Sequence, residues 1–351
     1  MEPLFDYTQS NMEQAAVHHV GNSSNEQELL LSNNELDISE DELYVLMMQF
    51  FLQSFSNPEF YNFSFSNDDR GSNPLYIFAE QIFENQQNFL DISADIAKQL
   101  FEVTNHPQIK AGDLFVVRFS ALRNENQNFE AIGLFKSENQ HSFLKLDKNE
   151  EGFSINHDSG INIEKLDKGC IILNTGKDQG YKICIIDKSN KAIEAGYWRD
   201  EFLGLRPCAD EYHHTKEFMN ITKNYVANHL GDEFEVTRAD QIDLLNRSVD
   251  YFKTNEEFDK ADFEKVVFKD EEIINSFQNF DSDYREQNDL DIEDNFDISQ
   301  HAVKKQSRVF KSVLKLDKNF HIYIHGDKNL IERGVENDGR KFYKIYYDQE
   351  Q

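Results

Sequence analysis

The chain is poor in residues that break or staple a fold. Its 351 residues include 15 Gly, 5 Pro and 3 Cys, which excludes low-complexity disorder and a disulfide-stapled secreted scaffold. Cys170, Cys184 and Cys208 have no C-x-x-C spacing, and an odd number leaves one over, so they read as reduced thiols in a cytosol. Cys184, inside the apolar run Ile183–Ile186, suits a small core residue. No basic stretch followed by an apolar segment opens the chain, so no signal peptide is expected. The longest apolar run, Leu43–Leu52, is interrupted by Gln49 and is too short to span a bilayer. No membrane partner is expected.

Catalytic motifs are missing as well. There is no Gly-rich phosphate loop, no G-x-S-x-G elbow and no nuclease-like carboxylate cluster that stands above the acidic background. The pairs His18-His19 and His213-His214 lack the i, i+4 spacing of a two-histidine metal face. In a strand, His18 and His19 point to opposite faces, so one is expected to pack and the other to meet water. Asp210 and Glu211 precede a helical pattern, where capping and the helix dipole explain them. The only tryptophan lies in Gly196–Pro207, which reads as a structural loop over a core. The expectation is a protein that is not an enzyme and takes no cofactor or metal.

Acid dominates what is present. The chain carries 65 Asp/Glu against 36 Lys/Arg, a formal net charge of −29. Residues 1–230 hold 18 Lys/Arg and 36 Asp/Glu, a net −18, and residues 231–300 hold 7 and 22, a net −15. Residues 301–351 reverse the sign, with 11 Lys/Arg against 7 Asp/Glu. Such a body repels DNA and anionic lipid, so any contact with nucleic acid has to be local. The same charge could steer a basic protein toward it.

Periodicity organises the chain. The runs Ala15–Val20 and Glu28–Leu31 flank Gly21-Asn-Ser-Ser24, a hairpin pattern. Ser39 and Glu42 have capping-box spacing ahead of a helix predicted over Leu43–Phe55. Asn73-Pro74 predicts a helix from Leu75 to about Asn88, and Ser93 is expected to open a third. Asp113–Ser120, Phe129–Lys136, Ser142–Leu146, Gly169–Leu173 and Gly180–Asp187 then read as strands of an antiparallel sheet. Helix returns at about His214–Leu230 and, with acidic character, from Asp240 to about Phe280. The segment Asp281–Asp297 has little periodicity and reads as an exposed linker. Strands are predicted near Val309–Leu316, Phe320–His325, Ile331–Val335 and Lys341–Tyr347, the last two joined at Asp338-Gly339. The expected class is α+β. Residues 1–230 form a sheet packed by helices, 231–300 an acidic helical segment with its linker, and 301–351 a small basic, aromatic, β-rich unit.

Alternation within that last unit defines a candidate site. If Phe320, Ile322, Ile324, Tyr343, Ile345 and Tyr347 face a core, then His321, Tyr323, His325, Lys344 and Tyr346 share the exposed side. Lys311, Lys315, Lys318, Arg340 and Lys341 rim it. Cations that meet phosphates, beside aromatics that stack, make a nucleic-acid surface. The same pattern also suits a solvated sheet whose lysines protect an edge. So small a positive excess supports only weak, patch-limited or partner-assisted DNA contact.

Several blocks, in order and spacing, resemble a known family. They are Ala16-Val-His-His-Val-Gly21, Asp113-Leu-Phe-Val-Val-Arg118, Tyr197-Trp-Arg-Asp-Glu-Phe-Leu203 leading into a helix at Thr215–Val226, and Phe310–Gly326. Together they are similar to the bacterial nucleoid-associated proteins of the NdpA/YejK type. The resemblance implies a cytoplasmic protein of the nucleoid that binds double-stranded DNA and acts with type IIA topoisomerases, with no established catalytic residues. The acidic stretch Asp281–Asp297 is a departure from it. Three readings stay open. One is a non-enzymatic nucleoid-associated protein, monomer or homodimer, that contacts DNA through its C-terminal sheet. Another is an acidic adaptor or DNA mimic that uses Asp289, Asp291, Glu293 and Asp294 to bind a DNA-processing enzyme, in chromosome maintenance or defence against foreign DNA. The third is an enzyme of the nuclease type.

Overall fold

Alternating apolar residues along Asn11–Val20 (β1), Gly112–Asn124 (β4) and Gln127–Ser137 (β5) build the middle of an eight-stranded antiparallel sheet. The computed structural model describes residues 3–67, 69–124, 127–149, 152–188, 196–308, 310, 313–323, 330–347 and 349. The chain divides into two units, residues 1–208 and 209–351. It is α+β, as the sequence pattern predicts.

In the first unit the other strands are Leu29–Leu30 (β2), Phe60–Phe63 (β3), Lys168–Leu173 (β8), Lys182–Asp187 (β9) and Leu205–Pro207 (β10). The order is β10-β3-β9-β8-β5-β4-β1-β2. Both faces are apolar because adjacent residues of one strand serve different cores. Ala16, Val116 and Ile172 enter one core, Ala15, Val117 and Ile171 the other. Helices Pro74–Glu84 (α2) and Phe89–Val103 (α3) cover the first face with the wide turn Tyr197–Phe202, where Trp198 is buried. Helix Asp41–Leu52 (α1) covers the second, Phe51 stacking on Phe135 at 4.5 Å. Gly180 ends the turn into β9 with φ +97°, and a Cβ there would lie 2.7 Å from the Phe63 carbonyl, so only glycine fits.

The predicted first hairpin is present, β1 pairing with β2. Asn73 caps α2 by accepting from Leu75 and Tyr76 N–H. The Ser39 capping box is not formed: α1 starts after Glu40, without a side-chain cap. Ser93 does not open α3 but lies buried within it, hydrogen-bonded to His18 at 2.9 Å, while His19 faces water beside Asp113. Strands β3 and β10 were too short to read from the sequence. The pair Gln140–Asn149 (β6) and Gly152–Ile161 (β7) stands apart as a two-stranded arm.

The second unit is helical around a small aromatic core. It contains Glu211–Asn224 (α4), Leu230–Glu233 (α5), Arg238–Thr254 (α6), Lys260–Val267 (α7), Glu271–Gln287 (α8) and Gln300–Ser307 (α9). Two short strands, Glu257–Asp259 (β11) and Asn295–Asp297 (β12), pair so that Phe258 meets Phe296 with rings 4.6 Å apart. Asp210 caps α4 by accepting from His213 N–H, so this helix opens the second unit rather than closing the first. The expected linker Asp281–Asp297 is part of the packed unit. Asp281 lies in α8, 1% exposed, tied to Lys260 and Arg285, while Ile292 and Phe296 are buried. Acidic density hid these anchors: the apolar residues that hold the segment recur at no helical or strand period.

Removing a buried carboxylate between two mostly buried cations leaves their charges uncompensated. Asp281→Asn is expected to cost about 3 kcal/mol of stability, measured by chemical denaturation. A loss below the error of the measurement overturns this account.

Candidate nucleic-acid interface

The C-terminal strands form two separate hairpins, not one sheet. Val313–Leu316 (β13) pairs with Phe320–Tyr323 (β14), and Ile331–Val335 (β15) with Lys341–Ile345 (β16). A two-stranded ribbon has no interior of its own and needs a surface to lie on. Here that is Ile242 of α6, against which Leu316, Ile322, Ile331 and Tyr343 are partly buried. The expectation that Phe320, Ile345 and Tyr347 face a core is therefore corrected: they are exposed, because each ribbon has one narrow contact line. Ile324, His325 and Lys311 lie outside the described residues.

On the first hairpin His321 and Tyr323 alternate with inward Ile322, and both are exposed. Lys315 sits opposite His321 in the register, and Lys318 is exposed in the turn, where Asp317 adopts φ +50°. On the second hairpin the predicted turn is present: Gly339 N–H donates to Glu336 O at 2.9 Å, and Gly339 has φ +87°. Phe342 lies over Gly334, where a Cβ would come within 2.2 Å of its ring. Lys341 and Lys344 are exposed at opposite faces of β16.

The electrostatics of these cations differ. Arg340 is held by Asp338 at 2.6 Å and Glu336 at 3.3 Å, both in its own turn. Lys344 hydrogen-bonds the Tyr346 hydroxyl and sits 4.5 Å from that ring's centre, with Glu332 opposite at 3.7 Å. The Tyr346 hydrogen bond, with Glu332, raises the Lys344 ammonium above its ordinary pKa. Two of the four described cationic side chains of the set thus already face carboxylates. Lys318 and His321 are exposed on the first hairpin, beside the exposed ring of Tyr323.

The four acidic candidates are split. Asp289, Asp291 and Glu293 are exposed in the loop after α8, Asp289 with φ +51°, whereas Asp294 turns toward Lys260 and Arg285, 3.1 Å from the latter. Asp294 lines a shallow polar depression of about 340 Å³ with Asp259, Lys260, Glu264 and Gln278. Glu264 is nearly fully buried and accepts from Gln278 through one oxygen, the other having no hydrogen-bond partner. Burial raises its carboxyl pKa, with nearby Asp281 and Asp294 adding to the effect.

Sequence reading missed a second polar cluster. Lys136 and Lys168 face each other across β5 and β8 and are both buried, with their ammoniums 5.5 and 5.1 Å from the Tyr197 ring centre. Lys136 donates to Lys110 O, Glu138 and the Tyr197 hydroxyl at 2.6–3.0 Å, and Lys168 pairs with Asp187 at 2.8 Å. Burial pulls the Lys136 pKa down, and Glu138 opposes it. Three bonds use all the donors of Lys136, which makes it a fastener between strands and loop. Lysines inside apolar strands gave no periodic signal of this. Among the described residues no group of three or more His, Cys, Asp and Glu is placed to hold a metal ion, and no helix is long and apolar enough to cross a membrane.

Because the Glu264 pKa is raised on folding, its favourable contribution is full at acid pH and is lost as pH climbs through the folded value. Glu264→Gln is expected to raise the melting temperature at pH 8 by roughly 2–4 °C, with the gain shrinking toward pH 5. An equal gain at both pH values counts against a buried, proton-preferring carboxyl.

No curated protein matches the chain. The family model for nucleoid-associated protein YejK matches residues 16–343, from the middle of β1 through the rest of the central sheet and the helical second unit to Tyr343 in the last hairpin. The chain belongs to the nucleoid-associated protein YejK family.

Proposed function

We propose that this protein is a non-enzymatic component of the bacterial nucleoid, resident in the cytoplasm, that touches double-stranded DNA through its C-terminal hairpins. The observation that carries the reading is the exposed row of Lys318, His321 and Tyr323 within residues 301–351, where 11 Lys/Arg exceed 7 Asp/Glu. Lys341 adds a second exposed cation on the neighbouring ribbon. Family membership supports the setting. Cations of this number neutralise only a few phosphates, so binding is salt-sensitive and weak alone. A second DNA-handling protein, such as a type IIA topoisomerase, would supply the remaining affinity.

Lys318→Glu with Lys341→Glu should reduce DNA retention. It should also flatten the dependence of log affinity on log salt by about two, as measured by titrations at several salt concentrations. Unchanged retention with an unchanged slope removes the hairpins from the interface. Deleting residues from 301 onward is a poorer test, because Ala302, Val303 and Phe310 are buried in the second unit.

A second reading rests on the exposed carboxylates Asp289, Asp291 and Glu293 in a stretch of net −15. They suit a basic surface on a DNA-processing enzyme, met in chromosome maintenance or in defence. On this reading, purification after nuclease treatment retains such an enzyme, and Asp289→Asn with Asp291→Asn and Glu293→Gln releases it. An unchanged set of co-purifying proteins argues against it.

A further inference from the structure

The arm formed by β6 and β7 leaves an apolar face uncovered. Register fixes which side chains share it: Leu144 is opposite His157, Leu146 opposite Ile155, and Lys148 opposite Phe153. Period-two alternation puts Ser142, Leu144, Leu146 and Lys148 on one face with Phe153, Ile155, His157 and Ser159. The four large apolar members are 62–77% exposed. The other face carries Lys145, Asp147, Asn156 and Asp158, with Asn156 donating to Asp147 at 3.0 Å, and a single large apolar residue, Phe143, half exposed near Gly160 at the base of the arm. The arm is therefore amphipathic, with its dry face turned to solvent. A two-stranded ribbon is marginal by itself, so an arm of ten-residue strands calls for cover.

We propose that the cover is the same face of a second copy of this chain. Charge selects this occupant. The face has one cation, Lys148, and no carboxylate, on a chain of net −29. Nucleic acid would find too little positive charge there, and an anionic membrane would be repelled by the rest of the chain. Within the face itself a second copy sets no carboxylate against carboxylate, and the longer-range repulsion between the two acidic chains is screened by salt.

Geometry and area agree. The cross-strand pair Leu146–Ile155 lies at the middle of the stripe, with Leu144 beyond it on one side and Phe153 on the other. A twofold axis lying between two facing arms, over that pair, brings the stripe onto its copy, as an isologous contact requires. Two ribbons packed face to face at about 10 Å make a two-layer, four-stranded core. Four such side chains supply roughly 500 Å² per copy, about 1,000 Å² in total, the lower limit for a specific interface. An area at that limit fits a reversible rather than an obligate dimer. It also goes beyond the DNA-contact reading, since it uses a different unit and no phosphate.

Sedimentation of the full chain over a range of concentration and salt tests the proposal. Self-association is expected to tighten as salt rises, because screening removes repulsion between two acidic chains while apolar burial is not screened. DNA contact weakens with salt, so failure of one proposal is distinguishable from failure of the other. Leu146→Glu with Ile155→Glu should make the chain monomeric with an unchanged melting curve, since both side chains are exposed. Should that pair disturb folding, the milder Leu146→Cys decides: oxidation should link two copies through the introduced thiol. A monomer at every concentration, association that weakens with salt, or association untouched by the paired substitution overturns the proposal. So does shielding of the introduced thiol by added DNA while the chain stays monomeric.

Discussion

Pairing between scarce cations and abundant carboxylates is the interaction on which this structure depends. With 36 Lys/Arg for 65 Asp/Glu, each cation placed inside the protein is one withheld from its surface. Several are placed inside. Arg118 crosses the sheet centre to reach Glu13 and Glu130 on the two neighbouring strands. Lys136 and Lys168 fasten β5 and β8 to Glu138 and Asp187. In the second unit Lys260 and Arg285 converge on buried Asp281. Such pairs cost desolvation and repay it only through close geometry, so they specify an arrangement more than they stabilise it. What they leave is a surface on which unneutralised acid is the rule.

The parts of the fold legible in the sequence are those where one residue pattern had one physical cause. Alternation along β4 and β5 marked a sheet, and Asn73-Pro74 marked a helix start, because cap and φ restriction act locally. Ser39 and Glu42 had equally good local credentials, yet α1 starts after Glu40 without that cap. Asp281–Asp297 failed for a different reason. Leu290, Ile292 and Phe296 anchor it to a core assembled from helices distant in sequence, and no local period reveals such a partner.

The candidate site was legible by residue type but not by pairing. Sequence places Arg340 and Lys344 among the cations, and cannot tell that Asp338, Glu336 and Glu332 sit across a turn or a rung from them. It also treats β13 to β16 as one sheet, when two ribbons lie separately along Ile242. Lys136 and Lys168 stayed silent because a buried lysine looks like a surface lysine until its register partner is known.

A net charge of −29 does not by itself forbid contact with a polyanion. At physiological ionic strength the Debye length is about 8 Å, so carboxylates beyond that range from a phosphate are largely damped. The charges that decide are those within the hairpins. Lys318 stands clear in its turn, and its approach to a phosphate costs little beyond side-chain entropy. Arg340 has to leave Asp338 and Glu336 before it can engage, exchanging one anion for another at little net gain. On the proposed reading, DNA contact would start at Lys318 and Tyr323 and spread to Arg340 only by exchange, which would make it weak and easily reversed. It would not extend into the acidic remainder of the chain, where a phosphate has no carboxylate to displace favourably.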